Sequence, residues 1–403
     1  MPDLEPSPPH SALFRSSNLG RTTSPRLPLE ILILIVEHSL SPLSQAPETL
    51  TWADWSFTAS LCRVSKALLP FAQKALYQAP ALIFTVHDDS NRSTNAFTRA
   101  ATSSNSVQFR RTLTEAPHLA SLVLKLHIII YLNTENLIPN SPSLEAELLL
   151  LFTHPLPLIS LEVAEPYKAG GSELIESVAE LLRGAAWLDQ LVELKMDYSG
   201  DAYSNLLGQL PRLRKLDVGI ESDSEWENEP FKVINPLTFF GVRWDSPTLL
   251  QSCLIGSAQS LRSLSLVCSL LVNEELPADY WSAFVNLSSV DLEIDFGSIA
   301  ADHHDEDTEM YSPLAQLPSL GTLCLDGCYL LPPHLPSLHT LHLLLDSNLK
   351  TSHLFDYISS NPNPQLKRLG VTNRFSGNKW TAMERFAIKG VCENAGIELL
   401  DCP

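Results

Sequence analysis

An α/β fold, with a short helical unit at the N-terminus and a long irregular solenoid of strand and helix repeats behind it, is predicted by three features of this 403-residue sequence. Leucine occurs 72 times, about 18% of the chain and nearly twice ordinary usage. The pattern Pro-x-Leu-x-x-Leu-x-(Leu/Val) begins at Pro117, Pro211, Pro318, Pro336 and Pro364, where composition alone gives about 0.25 occurrences. The formal net charge is −19, yet residues 1–80 carry as many basic as acidic groups, so the whole acidic excess lies beyond them. Two differently charged parts follow.

The elements are justified in chain order. Residues 1–23 hold many prolines and serines and read as a flexible tail. A helical domain over 24–80 opens with Leu27-Pro28-Leu29-Glu30 and the apolar run Ile31 to Val36. Proline suits a first helical position and an acid the positive helix end, so a helix runs to about Ser39. Residues 41–54 read as a loop. Phe57, Leu61, Val64, Leu68, Phe71, Ala75 and Leu76 then recur at helical spacing, and Pro70 divides them between two helices.

Residues 81–403 form the solenoid. Leu-x-x-Leu-x-Leu or a close variant begins at Leu119, Leu158, Leu191, Leu213, Leu261, Leu287, Leu320, Leu338, Leu366 and Ile397. Each motif predicts a short strand with alternate leucines facing a core, entered from a helix stopped by proline. Helix-like segments lie between them at 173–182, 203–210, 249–255, 280–284 and 381–392. One strand and one helix per repeat stack into an array with parallel strands on the concave face and helices outside. The spacing of 18 to 48 residues marks insertions, two of them acidic, at 221–229 and 302–309.

Composition excludes several functions. No apolar run approaches the roughly 20 residues of a membrane helix, and the start at Met1 lacks the pattern of a secretory signal. A strongly negative surface disfavours nucleic acid. Seven unclustered cysteines favour a reducing compartment, hence cytoplasm or nucleus. No phosphate-binding loop, dinucleotide fingerprint or nucleophile elbow occurs, and Ala169-Gly170-Gly171-Ser172 reads as a turn and N-cap. No cofactor is expected. Asp302 to Asp307 contains His303 and His304 among acids, but adjacent ligands on a flexible loop rarely converge on one ion. Cys324 and Cys328 lack the second pair of a zinc pattern. No metal site is assigned.

Leu27-Pro28-Leu29-Glu30-Ile31 with Ile35, then Leu61-Cys62-Arg63-Val64-Ser65-Lys66 and Ala75-Leu76-Tyr77, resemble the F-box of fungal F-box proteins with leucine-rich repeats. The long loop 41–54 departs from that pattern. So do His127, Glu221, Asp295, Asp346 and Arg374, which stand where the regular repeat carries its ladder asparagine or cysteine; only Cys328 fits. The resemblance implies a non-enzymatic substrate-recognition subunit of an SCF-type ubiquitin ligase. Its F-box would bind a Skp-family adaptor, and through it a cullin scaffold, while the repeats hold the target protein. The adaptor interface would comprise Leu27, Pro28, Ile31, Leu34 and Ile35. The alternative is a leucine-rich-repeat scaffold acting outside any ligase.

Strand residues between the inward leucines point to the concave face. The charged ones are Lys125, Glu162, Glu193, Lys195, Asp197, Lys215, Asp217, Asp291, Glu293, Asp326 and Arg368. Acids outnumber bases there, which suits a target protein of basic character.

Overall fold

The leucine alternation resolves into strands in the computed structural model, which describes residues 66, 69–87, 101–102, 104–133, 142–164, 172–198, 200–220, 235–242, 247–254, 256–267, 276, 279–293, 309–328, 331–345, 351–360, 362–373 and 382–400. The expected tail, the first helix with Leu27, Pro28, Ile31, Leu34 and Ile35, and both acidic stretches fall outside the described residues, save for Glu309. The chain divides into two units, Met1–Gln73 and Lys74–Pro403. Helix α1 (Leu69–Gln78) carries Pro70 in its first turn, where a missing N–H is tolerated.

The second unit holds one open sheet of thirteen strands. They are β1 (Ala81–His87), β2 (Ala101–Thr102), β3 (Lys125–Asn133), β4 (Ser160–Ala164), β5 (Glu193–Tyr198), β6 (Lys215–Ile220), β7 (Phe239–Val242), β8 (Ser263–Val267), β9 (Ser289–Glu293), β10 (Thr322–Cys328), β11 (Thr340–Leu345), β12 (Arg368–Asn373) and β13 (Glu398–Leu400). Twelve are parallel; β2 alone pairs antiparallel, with β1, at one edge. From β3 to β13 the strands lie side by side in chain order. Each repeat therefore packs on its sequence neighbours, as in a solenoid.

One sheet face is apolar without interruption. Leu126, Ile128, Leu161, Leu194, Leu216, Phe240, Leu264, Val290, Leu292, Leu323, Leu341 and Leu369 are all at most 1% exposed, and each such side chain contributes about 1.5–3 kcal/mol of burial free energy. The segments between strands cover this face. They include α2 (Ser104–Glu115), α3 (Pro117–Ala120), α4 (Leu144–Phe152), α5 (Ser172–Leu182), α6 (Gly200–Leu207), α7 (Pro247–Leu254), α8 (Thr351–Ser360) and α9 (Ala382–Ala395), with 3-10 turns at Leu188–Gln190, Tyr280–Ala283 and Glu309–Gln316. Local signals start them: Ser143 Oγ accepts from Ala146 N at 3.2 Å, and Glu145 and Glu147 occupy the first turn of α4, where acids suit the helix dipole.

Three expectations are corrected. The motif at Leu119 does not form a strand; Pro117–Ala120 is a helical turn, and β3 instead buries Leu126, Ile128 and Ile130. Its alternation is the continuous one, four residues further on. The gap from Leu213 to Leu261 holds a repeat that the leucine count passed over, because β7 buries Phe240 and Val242 behind Leu237; β1 likewise uses Phe84 and Val86. The covering segment is not always an α-helix. The shortest repeat, β10 to β11, crosses through turns, since about a dozen residues cannot span the sheet and also wind a helix of ordinary length.

Successive repeats are stitched at the strand entrances. Arg214 N donates to Val192 O, Thr238 N to Arg214 O, Arg262 N to Thr238 O and Ser288 N to Arg262 O, at 2.8–3.0 Å. Side chains join in: Asn235 Nδ2 donates to Leu210 O at 2.8 Å, Ser260 Oγ to Leu237 O at 2.6 Å, Asn286 Nδ2 to Gln259 O at 2.8 Å and Ser319 Oγ to Val285 O at 2.7 Å.

Candidate functional site

Because side chains alternate along a strand, burial of one set of leucines turns the intervening residues to the other sheet face. Parallel registry aligns them in rows about 4.8 Å apart from strand to strand. The first row runs Lys125, Ser160, Glu193, Lys215, Phe239, Ser263, Ser289, Thr322, Thr340 and Arg368. The second runs His127, Glu162, Lys195, Asp217, Gly241, Ser265, Asp291, Cys324, His342 and Gly370. Glu293 and Asp326 are neighbours in a third.

The two halves of this face differ. From β3 to β6 the second row sets His127, Glu162, Lys195 and Asp217 on successive strands, and Glu162 engages the groups on either side of it. Glu162 Oε2 lies 2.7 Å from His127 Nδ1, and Glu162 Oε1 lies 2.6 Å from Lys195 Nζ. Partial burial pushes the Glu162 carboxyl up, but the hydrogen bonds and charges of His127 and Lys195 outweigh it and hold the group down at about 2. In the first row Lys215 Nζ lies 3.9 Å from Glu193 Oε1. Asp217 leans onto β7: a Cβ placed on Gly241 would come within 2.6 Å of Asp217 Oδ1. Glycine is what makes room for that carboxylate.

On β9 and β10 the charged residues of these rows are all acids. Asp291 and Glu293 are exposed, and half-buried Asp326 stands next to Glu293. At the far end Arg368 Nε donates to Thr340 Oγ1 at 3.1 Å. Lys125 is half-buried at the head of the first row, and Asp197 belongs to β5.

The rows thus gather Lys125, Glu162, Glu193, Lys195, Lys215, Asp217, Asp291, Glu293, Asp326 and Arg368 on one surface, with charges of both signs from β3 to β6 and only acids on β9 and β10. Sequence reasoning over charged residues passed over Cys324, His342 and the ion-pairing role of His127. The signal was present as Leu323-Cys324-Leu325 and Leu341-His342-Leu343, a polar residue between two inward leucines. Cys253 and Cys392 are buried, and burial raises both thiols, Cys392 to about 11 with help from Glu393. Among the described residues no group of three or more His, Cys, Asp or Glu is arranged to hold a metal ion, and no helix is long and apolar enough to cross a membrane.

No family model matches the chain, and no curated protein matches its sequence.

Proposed function

We propose that this chain is a non-catalytic substrate receptor of an SCF-type ubiquitin ligase. The observation that carries the receptor half is the open face of the parallel sheet: one face is filled with leucine and covered by helices, while the other presents ordered rows of polar and charged side chains. A rigid sheet holds such rows at fixed spacing, which suits recognition of a protein surface better than chemistry on a small molecule. We read it as the concave side of a leucine-rich-repeat array. The adaptor half rests on the F-box-like residues Leu27, Pro28, Ile31, Leu34 and Ile35, which would seat a Skp-family adaptor and thereby a cullin scaffold. Held between adaptor and target, the chain raises the effective concentration of the target near the ubiquitin-charged enzyme.

The acidic half of the face, Asp291, Glu293 and Asp326, is the part we assign to a target protein of basic character. The β3 to β6 half carries charges of both signs and so presents little net charge to a partner. Immunoprecipitation of the full chain carrying Asp291→Lys and Glu293→Lys, with ubiquitination of the co-precipitated target as readout, tests this. The account expects loss of both target and ubiquitination in the double variant, and only weakening in Glu193→Lys. Undiminished capture by the double variant contradicts the assignment.

A further inference from the structure

The strand entrances carry a charge pattern opposite to that of the acidic half of the open face. A buried leucine precedes each strand from β6 to β12, beginning with Leu213 and ending with Leu366. The residue before that leucine and the two after it make three positions on each of these seven strands. None of the twenty-one is Asp or Glu and six are Arg or Lys, where overall composition gives about two acids and one base. The six are Arg212, Arg214, Lys215, Arg262, Lys367 and Arg368; all are exposed, as is His339 in the same strip. Arg212, Arg214, Arg262 and Lys367 lie outside the polar rows of the open face. Among the described residues the one carboxylate in ion-pair range of the six is that of Glu193, 3.9 Å from Lys215 Nζ at the near end of the strip. Glu398, beside Arg368 in register, bounds the far end. The backbone fixes the spacing: Arg214 O accepts from Thr238 N and Phe239 N, and Thr238 O from Arg262 N and Ser263 N. Arg214 and Arg262 thus stand two strands apart, about 9.6 Å, and Arg214 and Lys367 six strands apart, about 29 Å.

We propose that this strip binds an extended acidic segment of a partner polypeptide, laid across the strand entrances. Charge complementarity selects the sign, because the strip is locally positive in a chain of net charge −19. The neighbouring acids select the width. Asp291 lies two residues along β9 from the strip at Ser289, and Glu293 and Asp326 lie four residues from Ser289 and Thr322. Those steps put the carboxylates about 7 and 13 Å away, or one to two Debye lengths at physiological salt. A single extended chain, about 5 Å across from strand to strand, keeps clear of them. A nucleic-acid duplex or a bilayer is wider and would press its phosphates onto the same carboxylates. This inference goes beyond the receptor reading and does not depend on it.

Fluorescence anisotropy tests it on the full chain, with a labelled peptide of about ten residues, alternating Glu and Ser and long enough to span the strip when extended. Two double variants change the net charge equally: Arg214→Glu with Arg262→Glu inside the strip, and Arg385→Glu with Lys389→Glu at exposed positions of α9. Thermal melts check that both keep the wild-type fold. Arg214→Gln with Arg262→Gln removes charge without adding acid; it gives an intermediate loss and takes the place of the strip variant if that one melts early. The expected result is wild-type binding that falls with added salt, weakens at least about tenfold in the strip variant and less than about twofold in the α9 variant. A wild type that does not bind, or equal losses in the two variants, overturns the proposal. So does a DNA duplex or a phosphatidylserine vesicle that binds wild type more tightly than the peptide and loses that binding in the strip variant, since the strip would then serve a wide polyanion.

Discussion

Glu162 shows how much a single position on the open face is committed to the fold. Its carboxylate bridges His127 and Lys195 across three strands, and its acidity is raised from the ordinary 4.5 to about 2. A depressed carboxyl stabilises the folded chain above its unfolded pKa and loses that contribution as pH falls through the folded value. After allowance for solvent screening of a partly exposed group, Glu162→Gln is expected to cost about 1–2 kcal/mol at pH 7. In denaturant titrations the gap between variant and wild type should hold above about pH 4.5 and close towards pH 2; a gap independent of pH would deny the ion pairs their role. Gly241 makes a second residue-level case. Gly241→Ala should destabilise the chain by about 1 kcal/mol through its clash with Asp217, and the cost should shrink in an Asp217→Ala background, which a double-mutant cycle measures. Neither role was legible in the sequence. Glu162 and Lys195 were recognised as facing outward, but only strand registry reveals which outward charges stand side by side.

At the scale of elements, the strands that announced themselves are those built on leucine. Leu158, Leu191, Leu213, Leu287 and Leu338 each sit two residues before a strand, as the motif requires. β7 stayed hidden because Phe240 fills the core position that Leu216 and Leu264 hold on either side, and β1 because Phe84 and Val86 break the leucine alternation. α2 and α4 stayed hidden for another reason. α4 is apolar nearly all round, with buried Leu144, Leu148 and Leu151 and half-exposed Leu149 and Leu150, so no single stripe betrays its period. What fixes the two helices to each other is polar: Arg110 Nη2 lies 2.8 Å from Glu147 Oε2, and Glu147 is 5% exposed. Removing one partner leaves the other charge without compensation, so Glu147→Ala should cost about 3 kcal/mol. Entrance ladders should matter in proportion to burial. Asn363 is 1% exposed, donates to Pro333 O and Tyr357 Oη, and accepts from Leu335 N. Asn363→Ala is therefore expected to cost about 2–3 kcal/mol, and Asn286→Ala, at an exposed rung, about 1 kcal/mol. Equal losses in thermal melts would show that the rungs are not graded by burial.

The described residues of the second unit build one open sheet, parallel except for β2, with one face buried by leucines and the other lined by polar rows. The α/β class and the repeat architecture were legible because a leucine at every second strand position is a direct image of one-sided burial. The division of the outer face into a mixed-charge and an acidic half was not, since it depends on which strands become neighbours and on the carboxylates of Asp291, Glu293 and Asp326 falling within two adjacent strands. Our functional proposal needs both ends of the chain to act together: the rows must hold a target while the F-box-like residues hold an adaptor. The most direct measurement is co-purification of the full chain with a Skp-family adaptor, comparing wild type with the triple variant Leu27→Ala, Pro28→Ala, Ile31→Asp. The receptor account predicts a stoichiometric complex with wild type, and none with a variant whose circular dichroism is unchanged. A wild-type chain that binds no adaptor would contradict it and leave the repeat array as a scaffold acting outside a ubiquitin ligase.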